Sequence, residues 1–145
     1  MLHVVLNYYN YTMLVKFPKD DKYFFWTRHI KNKMIFYGLS EQKIKTVLKS
    51  SNRREEGIAP NTTAVMKRND TRKRKEEIWV MYQQLTNNKQ QITNNKQRSY
   101  QLKVISYKLG AKLRLISAWR YPGISKPGKK IPIPEDILAE LDKIL

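Results

Sequence analysis

The apolar residues of this chain change period part-way along, and that change limits the folds open to it. Trp26, Ile30, Met34 and Tyr37 recur at helical spacing, and Gly38 stands where a helix stop belongs. Ser40 is a good N-cap for a second helix, in which Ile44, Val47 and Leu48 fall at i, i+3 and i+4. Joined through Tyr37, Gly38 and Leu39, the two predict a helical hairpin. Beyond residue 60 the pattern becomes that of strands. They are expected at about residues 62–68, over the strongly β-prone run Glu77-Ile78-Trp79-Val80-Met81-Tyr82, at 102–107 and at 112–119. Asn69, Asp70 and Thr71, extended by Arg72, Lys73, Arg74 and Lys75, make a β-hairpin the natural join between the first two. Residues 4–17 predict an earlier strand, bent or folded into a hairpin, ended by a turn at Pro18, Lys19, Asp20 and Asp21.

Helices and strands in separate runs predict an α+β fold. The expected form is an N-terminal helical hairpin packed on a three- to four-stranded, mostly antiparallel sheet, with a C-terminal helix. The other face of the sheet, or an edge, would stay open for a ligand. A length of 145 residues suits a single domain, 1–145, with a modest core. Thr-Asn-Asn-Lys-Gln occurs twice within residues 84–100, a stretch without apolar periodicity that is expected to be a flexible polar insertion. Residues 122–134 hold four of the six prolines and form a connector to the last helix, whose Ile137, Leu138, Leu141, Ile144 and Leu145 make one apolar face.

Charge narrows the function. Lys and Arg total 29 against 12 Asp and Glu, a net +17; residues 135–145 carry four acids and one base, so the rest of the chain carries +20. Such a field attracts polyanions and makes their binding salt dependent. RNA is the first partner to expect. A membrane surface is not, because the cations are interleaved with strand and turn patterns rather than lining a long amphipathic helix. There is no cysteine, and the two histidines, His3 and His29, are far apart in sequence. Thiolate chemistry and cysteine zinc sites are therefore excluded, and no metal or other cofactor is expected. The first fifteen residues lack a basic start and a cleavage site, which predicts a cytoplasmic protein without signal peptide or membrane anchor.

Three clusters have the residue types for work on RNA. A metal-independent ribonuclease needs a base for the 2′-hydroxyl, cations for the charge on the phosphorane and an acid for the leaving oxygen. His29 can titrate near neutral pH, although a histidine there can equally cap the helix or pack against Trp26 and Lys33. Arg53, Arg54, Glu55 and Glu56, before Gly57, can clamp a phosphate and supply a base, or form a surface ion-pair cluster. Leu115 to Ala118 run as a strand into Trp119, Arg120 and Tyr121 before stopping at Pro122 and Gly123. Arg120 offers a planar fork to a phosphate, and the aromatics offer stacking faces. Adjacent strand residues face opposite ways, so at least one of these three lies on the open side, while either aromatic can belong to the core. Arg72, Lys73, Arg74 and Lys75 provide sequence-independent backbone attraction, and Trp79 is either a base-stacking group or core.

The element order, with His29, Arg53 to Gly57 and Trp119 to Tyr121 in it, resembles the barnase, EndoU and RelE superfamily of small nucleases over roughly residues 12–121. It is most similar in kind to RelE-like messenger-RNA interferase toxins. Trp26 to Ser40, Arg53 to Pro60 and Ser117 to Gly123 also look like an uncharacterised bacterial or phage branch often placed there. The resemblance implies a toxin-like endoribonuclease acting on single-stranded or ribosome-bound RNA, with an acidic antitoxin protein as partner. It implies Arg53, Arg54, Arg120 and Tyr121 as counterparts in kind of the basic residues and late tyrosine around the RNA; the reaction expected of such a site takes His29, Glu55 or Glu56 as acid or base, Arg53, Arg54 and Arg120 at the phosphate, and Tyr121 or Trp119 on a base. The polar repeat and the terminal helix are additions to that pattern. A non-catalytic RNA-binding module is the alternative, and it differs in one respect: Arg53 and Arg120 need not converge on a proton-transfer group.

Overall fold

In the computed structural model the described residues are 2–6, 12–85, 112–141 and 143. Strands β1 (Leu2–Leu6) and β2 (Thr12–Lys16) pair antiparallel as a two-stranded sheet, Leu2 opposite Lys16 and Leu6 opposite Thr12. Next come β3 (Phe24–Trp26), α1 (Arg28–Tyr37), α2 (Glu41–Lys49), β4 (Arg53–Glu56) and β5 (Thr62–Arg68). The chain continues with β6 (Glu76–Leu85), β7 (Lys112–Pro122) and α3 (Glu135–Leu141). The five strands β3 to β7 form one sheet in the order β3-β7-β6-β5-β4, antiparallel except for the parallel pair β3 and β7. The α+β class expected from the periods is the class found, with five strands rather than three or four. The strand expected at 102–107 and all of the polar repeat beyond Leu85 lie outside the described residues.

The two N-terminal helices form where the local signals place them. Thr27 caps α1, its hydroxyl accepting from the Ile30 amide at 3.3 Å, and Gly38 ends the helix in the left-handed region at φ 61°. That conformation lets the Leu39 amide reach the Met34 carbonyl at 2.8 Å. Ser40 caps α2 through the Lys43 amide, and Glu41 and Lys49 suit the helix dipole at its two ends.

β3 has no counterpart among the expected strands. Its three residues are too few to show a period, and their geometry comes from outside. The Asp21 carboxylate accepts from the amides of Tyr23 and Phe24, Asp20 accepts from that of Trp26, and β7 supplies the ladder. Thr27 then donates its hydroxyl to the Leu115 carbonyl at 2.7 Å, which pins the start of α1 to β7.

Each face of the sheet carries its own core. On the first face Trp26, Ile30, Met34, Ile44 and Val47 from β3 and the two helices pack on Val65, Ile78, Val80, Leu115 and Ala118. On the second face Ile137 and Leu141 of α3, with Ile131 and Ile133 of the connector, cover Ala64, Met66, Trp79, Met81, Ile116 and Trp119. The expectation of an uncovered face is thus corrected over half its length: the proline-rich connector and α3 lie across the end of the sheet where β6 begins and β7 finishes. In α3, Ile137 and Leu141 are buried while Leu138 is 45% exposed, so the apolar stripe is narrower than expected; Ile144 and Leu145 lie outside the described residues. Among the described residues no helix is long and apolar enough to cross a membrane.

Candidate functional site

Alternation along β4 decides what its charges can do. Arg53 and Glu55 project to the second face and Arg54 and Glu56 to the first, since Arg53 is opposite Met66 and Arg54 opposite Val65. The Arg53 side chain is only 9% exposed. Its guanidinium carbon lies 5.3 Å from the centre of the Trp79 ring, and Trp79 in turn stacks on Trp119 at 6.1 Å with their planes 5° apart. Each nitrogen of that guanidinium makes one hydrogen bond: Nε to Glu55 at 2.7 Å, one terminal nitrogen to the Ser125 hydroxyl at 2.9 Å, the other to the Lys129 carbonyl at 3.2 Å. Arg54 and Glu56 are exposed at the sheet edge.

Beneath Arg53 lies Glu77, a fully buried carboxylate. It accepts from Trp79 Nε1 at 3.0 Å, from the Ser125 amide at 2.9 Å and hydroxyl at 2.6 Å, and from Arg68 at 3.0 Å. Arg68 also pairs with Asp70, and that hydrogen bond, with others to the Asp70 carboxylate, holds its pKa below the usual carboxylate range. The group that organises this end of the second face is therefore an acid in a strand, not a cation. Nothing in the charge pattern marks Glu77 or Ser125 for it, because Glu77 reads as the first polar residue of an apolar run.

Arg120 stands on the first face, opposite Ile78. It caps the C-terminus of α1: Nε donates to the Tyr37 carbonyl at 2.6 Å, one terminal nitrogen to the Gly38 carbonyl at 3.0 Å, and the other to Glu76 at 2.7 Å. Arg53 and Arg120 thus lie on opposite faces of the sheet and do not form the shared clamp that a nuclease reading calls for. For the two tryptophans, of the two expected alternatives it is the core that holds. Trp79 and Trp119 are both wholly buried, with Trp119 donating to the Pro132 carbonyl at 2.9 Å, and Tyr121 is half-buried against the same core. Gly57 does admit a close approach, but to Thr62, whose hydroxyl oxygen would lie 2.0 Å from any added Cβ.

His29 sits away from both arginines. It is 7% exposed; Nδ1 is 3.0 Å from Glu140 and Nε2 3.0 Å from the hydroxyl of the fully buried Ser117. Burial lowers its pKa below the ordinary 6.5, with the Lys33 charge acting the same way, and together these outweigh the upward pull of Glu140 and Asp136. The neutral ring then donates from Nδ1 to the carboxylate and accepts the serine proton at Nε2. One turn on, Lys33 pairs with Asp136 at 2.7 Å and Glu140 at 3.2 Å, and Tyr37 donates to Asp136 at 2.8 Å. Burial works against the Lys33 ammonium, yet its two carboxylate partners leave its pKa raised. Burial and the Asp136 carboxylate push the Tyr37 hydroxyl up. His29, Lys33 and Tyr37 at i, i+4 and i+8 meet Asp136 and Glu140 at i and i+4: a polar stripe on α1 clips α3 in place. That pairing of stripes was legible in principle, since both helices show it in the sequence.

Besides Arg54, the expected RNA-binding cations that stay exposed are those of the β5–β6 turn. The Thr71 amide donates to the Arg74 carbonyl at 2.9 Å, and the Arg74 amide to the Thr71 hydroxyl at 3.1 Å. Arg72, Lys73, Arg74 and Lys75 are all exposed on this defined turn. Arg74 touches Glu76 at 3.3 Å and Lys75 approaches Asp70 at 3.9 Å, but both side chains remain more than 60% exposed. Among the described residues no group of three or more histidine or carboxylate side chains is placed to hold a metal ion. Comparison with protein-family models, with curated proteins and with solved structures gives no match.

Proposed function

We propose that this chain is a non-catalytic RNA-binding module whose β5–β6 turn takes the phosphate backbone. One observation carries the reading. Several acids are held by the fold's own cations and donors: Glu77 is buried under Ser125 and Arg68, Glu76 pairs with Arg120, Glu55 with Arg53, and Asp136 and Glu140 with Lys33. With 12 acids for 29 cations, the surplus is left at the surface, and Arg72 and Lys73 head it on a turn held by its own hydrogen bonds. Phosphate contacts of this kind give affinity without sequence preference. The placement of Arg53 and Arg120 on opposite faces, each bonded within the fold, and of His29 between Ser117 and Glu140, favours binding over cleavage.

The test is anisotropy of a labelled single-stranded RNA titrated with the protein between about 50 and 200 mM salt. Binding should weaken steeply with salt, with a log–log slope of about −0.7 for each phosphate neutralised on a single strand. The double variant Arg72→Ser/Lys73→Ser should lose affinity across all sequences and flatten that slope by up to two such steps. The RNA should be recovered intact, with or without EDTA. Cleavage that persists in EDTA and disappears in Arg120→Ala would replace this reading with the metal-independent ribonuclease.

A further inference from the structure

The second face of the sheet is not covered throughout. At the end away from the β5–β6 turn, where β6 finishes and β7 begins, a row of side chains crosses it that neither the connector nor α3 occupies. In β3, Phe24 and Trp26 are buried on the first face, so Phe25 projects to the second, where it is 38% exposed. The strand ladders place Arg114 beside Phe25 and Gln83 beside Arg114. Two residues on, Lys112 is beside Leu85, itself 38% exposed. The Lys112 ammonium lies 5.9 Å from the centre of the Phe25 ring. Arg114, Lys112 and Gln83 are all partly exposed.

A partly exposed phenyl ring at a sheet edge, with an ammonium over it that can swing aside on its flexible stem and a guanidinium on the neighbouring strand, suits one class of ligand. A nucleobase stacks on a phenyl ring whatever its sequence, and the two cations sit where the phosphates on either side of that base would run. A duplex cannot use the ring, because its bases are already stacked on one another. The nearby Asp20 and Asp21 direct their carboxylates to the backbone amides of Tyr23, Phe24 and Trp26. We propose that Phe25, Lys112 and Arg114 form a platform for single-stranded RNA, one base stacked on Phe25 and the flanking phosphates on the two cations. The proposal rests on the RNA-binding reading and adds to it. The platform lies nine residues along β6 from the basic turn, about 30 Å at the rise of an extended strand, and it gives the chain a preference for unpaired over paired RNA that the turn alone cannot give.

The test uses the full chain and a fluorescein-labelled single-stranded 20-mer of mixed sequence, together with the same 20-mer annealed to its complement. Phe25→Ala should weaken binding of the single strand about tenfold, the usual order for one stacked base, while leaving duplex binding unchanged. Phe25→Trp should keep or improve single-strand binding. Arg114→Gln and Lys112→Gln should each lower affinity for the single strand and flatten the salt slope by about 0.7. Melting curves of all four variants verify that they fold, and Phe25→Trp retains the stacking surface should the alanine variant not fold. Single-strand affinity in Phe25→Ala equal to the parent, with Arg72→Ser/Lys73→Ser still weakened, overturns the platform and leaves the basic turn standing. A parent chain that binds neither single strand nor duplex overturns both.

Discussion

Arg53-Arg54 and Arg72-Lys73 look alike as text, and the fold treats them in opposite ways. In β4, strand alternation separates the two arginines, and Arg53 is folded over Trp79 with each guanidinium nitrogen bonded within the fold, to Glu55, Ser125 and Lys129. In the β5–β6 turn no alternation applies and no second layer covers the residues, so Arg72 and Lys73 keep their charge in water. A cation is useful to a ligand only where the fold has not already given it an acceptor. The same distinction separates Arg120, which closes the C-terminus of α1, from the partly exposed Arg114 earlier on the same strand.

The strongest way to break this division is to attack the acid that holds the covered end together. Glu77→Ala removes the acceptor of Trp79, Ser125 and Arg68 at once and should destabilise the chain by about 3–5 kcal/mol, the usual cost of breaking a buried charged pair. A guanidinium titration followed by tryptophan fluorescence measures it. A loss below about 1 kcal/mol would mean that the network is not what fixes Arg53, on the ordinary scale of a single hydrogen bond. Next in size come Arg53→Ala and Arg120→Ala. Each strands partly buried acceptors and should cost about 1–3 kcal/mol, while RNA affinity stays within about twofold of the parent. The opposite pattern, unchanged melting with a tenfold drop in affinity, would put these arginines back at the ligand. Arg72→Ser/Lys73→Ser should show the mirror image, with stability within about 0.5 kcal/mol of the parent and RNA affinity reduced.

Much of the fold was legible because its signals are local. The caps at Ser40 and Gly38 and the stripe of Ile44, Val47 and Leu48 act within a turn or two of helix, and β5, β6 and β7 begin close to where their β-prone runs begin. β3 and β4 were not legible as strands. Three residues cannot show a period, and Arg-Arg-Glu-Glu contains no apolar residue at all; both are strands because neighbouring strands pair with them. The candidate site was harder still. Arg53 meets Ser125 and Lys33 meets Asp136 across 72 and 103 residues, so which cation is neutralised depends on topology, not on composition. Parity did carry one correct inference, that the side chains of Trp119 and Arg120 face opposite ways, but it could not tell that the face of the tryptophan would be covered by residues 131–141.

The smallest effect concerns His29, and its sign follows from burial. A histidine whose folded pKa lies below the unfolded value of 6.5 binds a proton more readily in the unfolded chain. The stability tied to its neutral form is complete above pH 6.5 and is lost as the pH falls through the folded value. Melting temperature should therefore decline from pH 7.5 towards pH 5, and His29→Gln, which can still bridge Ser117 and Glu140, should flatten that decline. The groups around it act elsewhere on the scale. Asp136 is held below 3.8 by its hydrogen bonds to Lys33 and Tyr37 in spite of burial, so its contribution is lost only in stronger acid. The raised Lys33 gives stability that is present below 10.5 and lost above it. RNA binding adds a cross-check, because Arg72 to Lys75, Phe25, Lys112 and Arg114 include no histidine: affinity at fixed salt should stay level over the range in which stability falls. A melting temperature that rises on acidification instead would mean that the Glu140 carboxylate outweighs burial and that His29 is charged in the folded chain. The clip between α1 and α3 would then be ionic at two of its three α1 positions, His29 and Lys33.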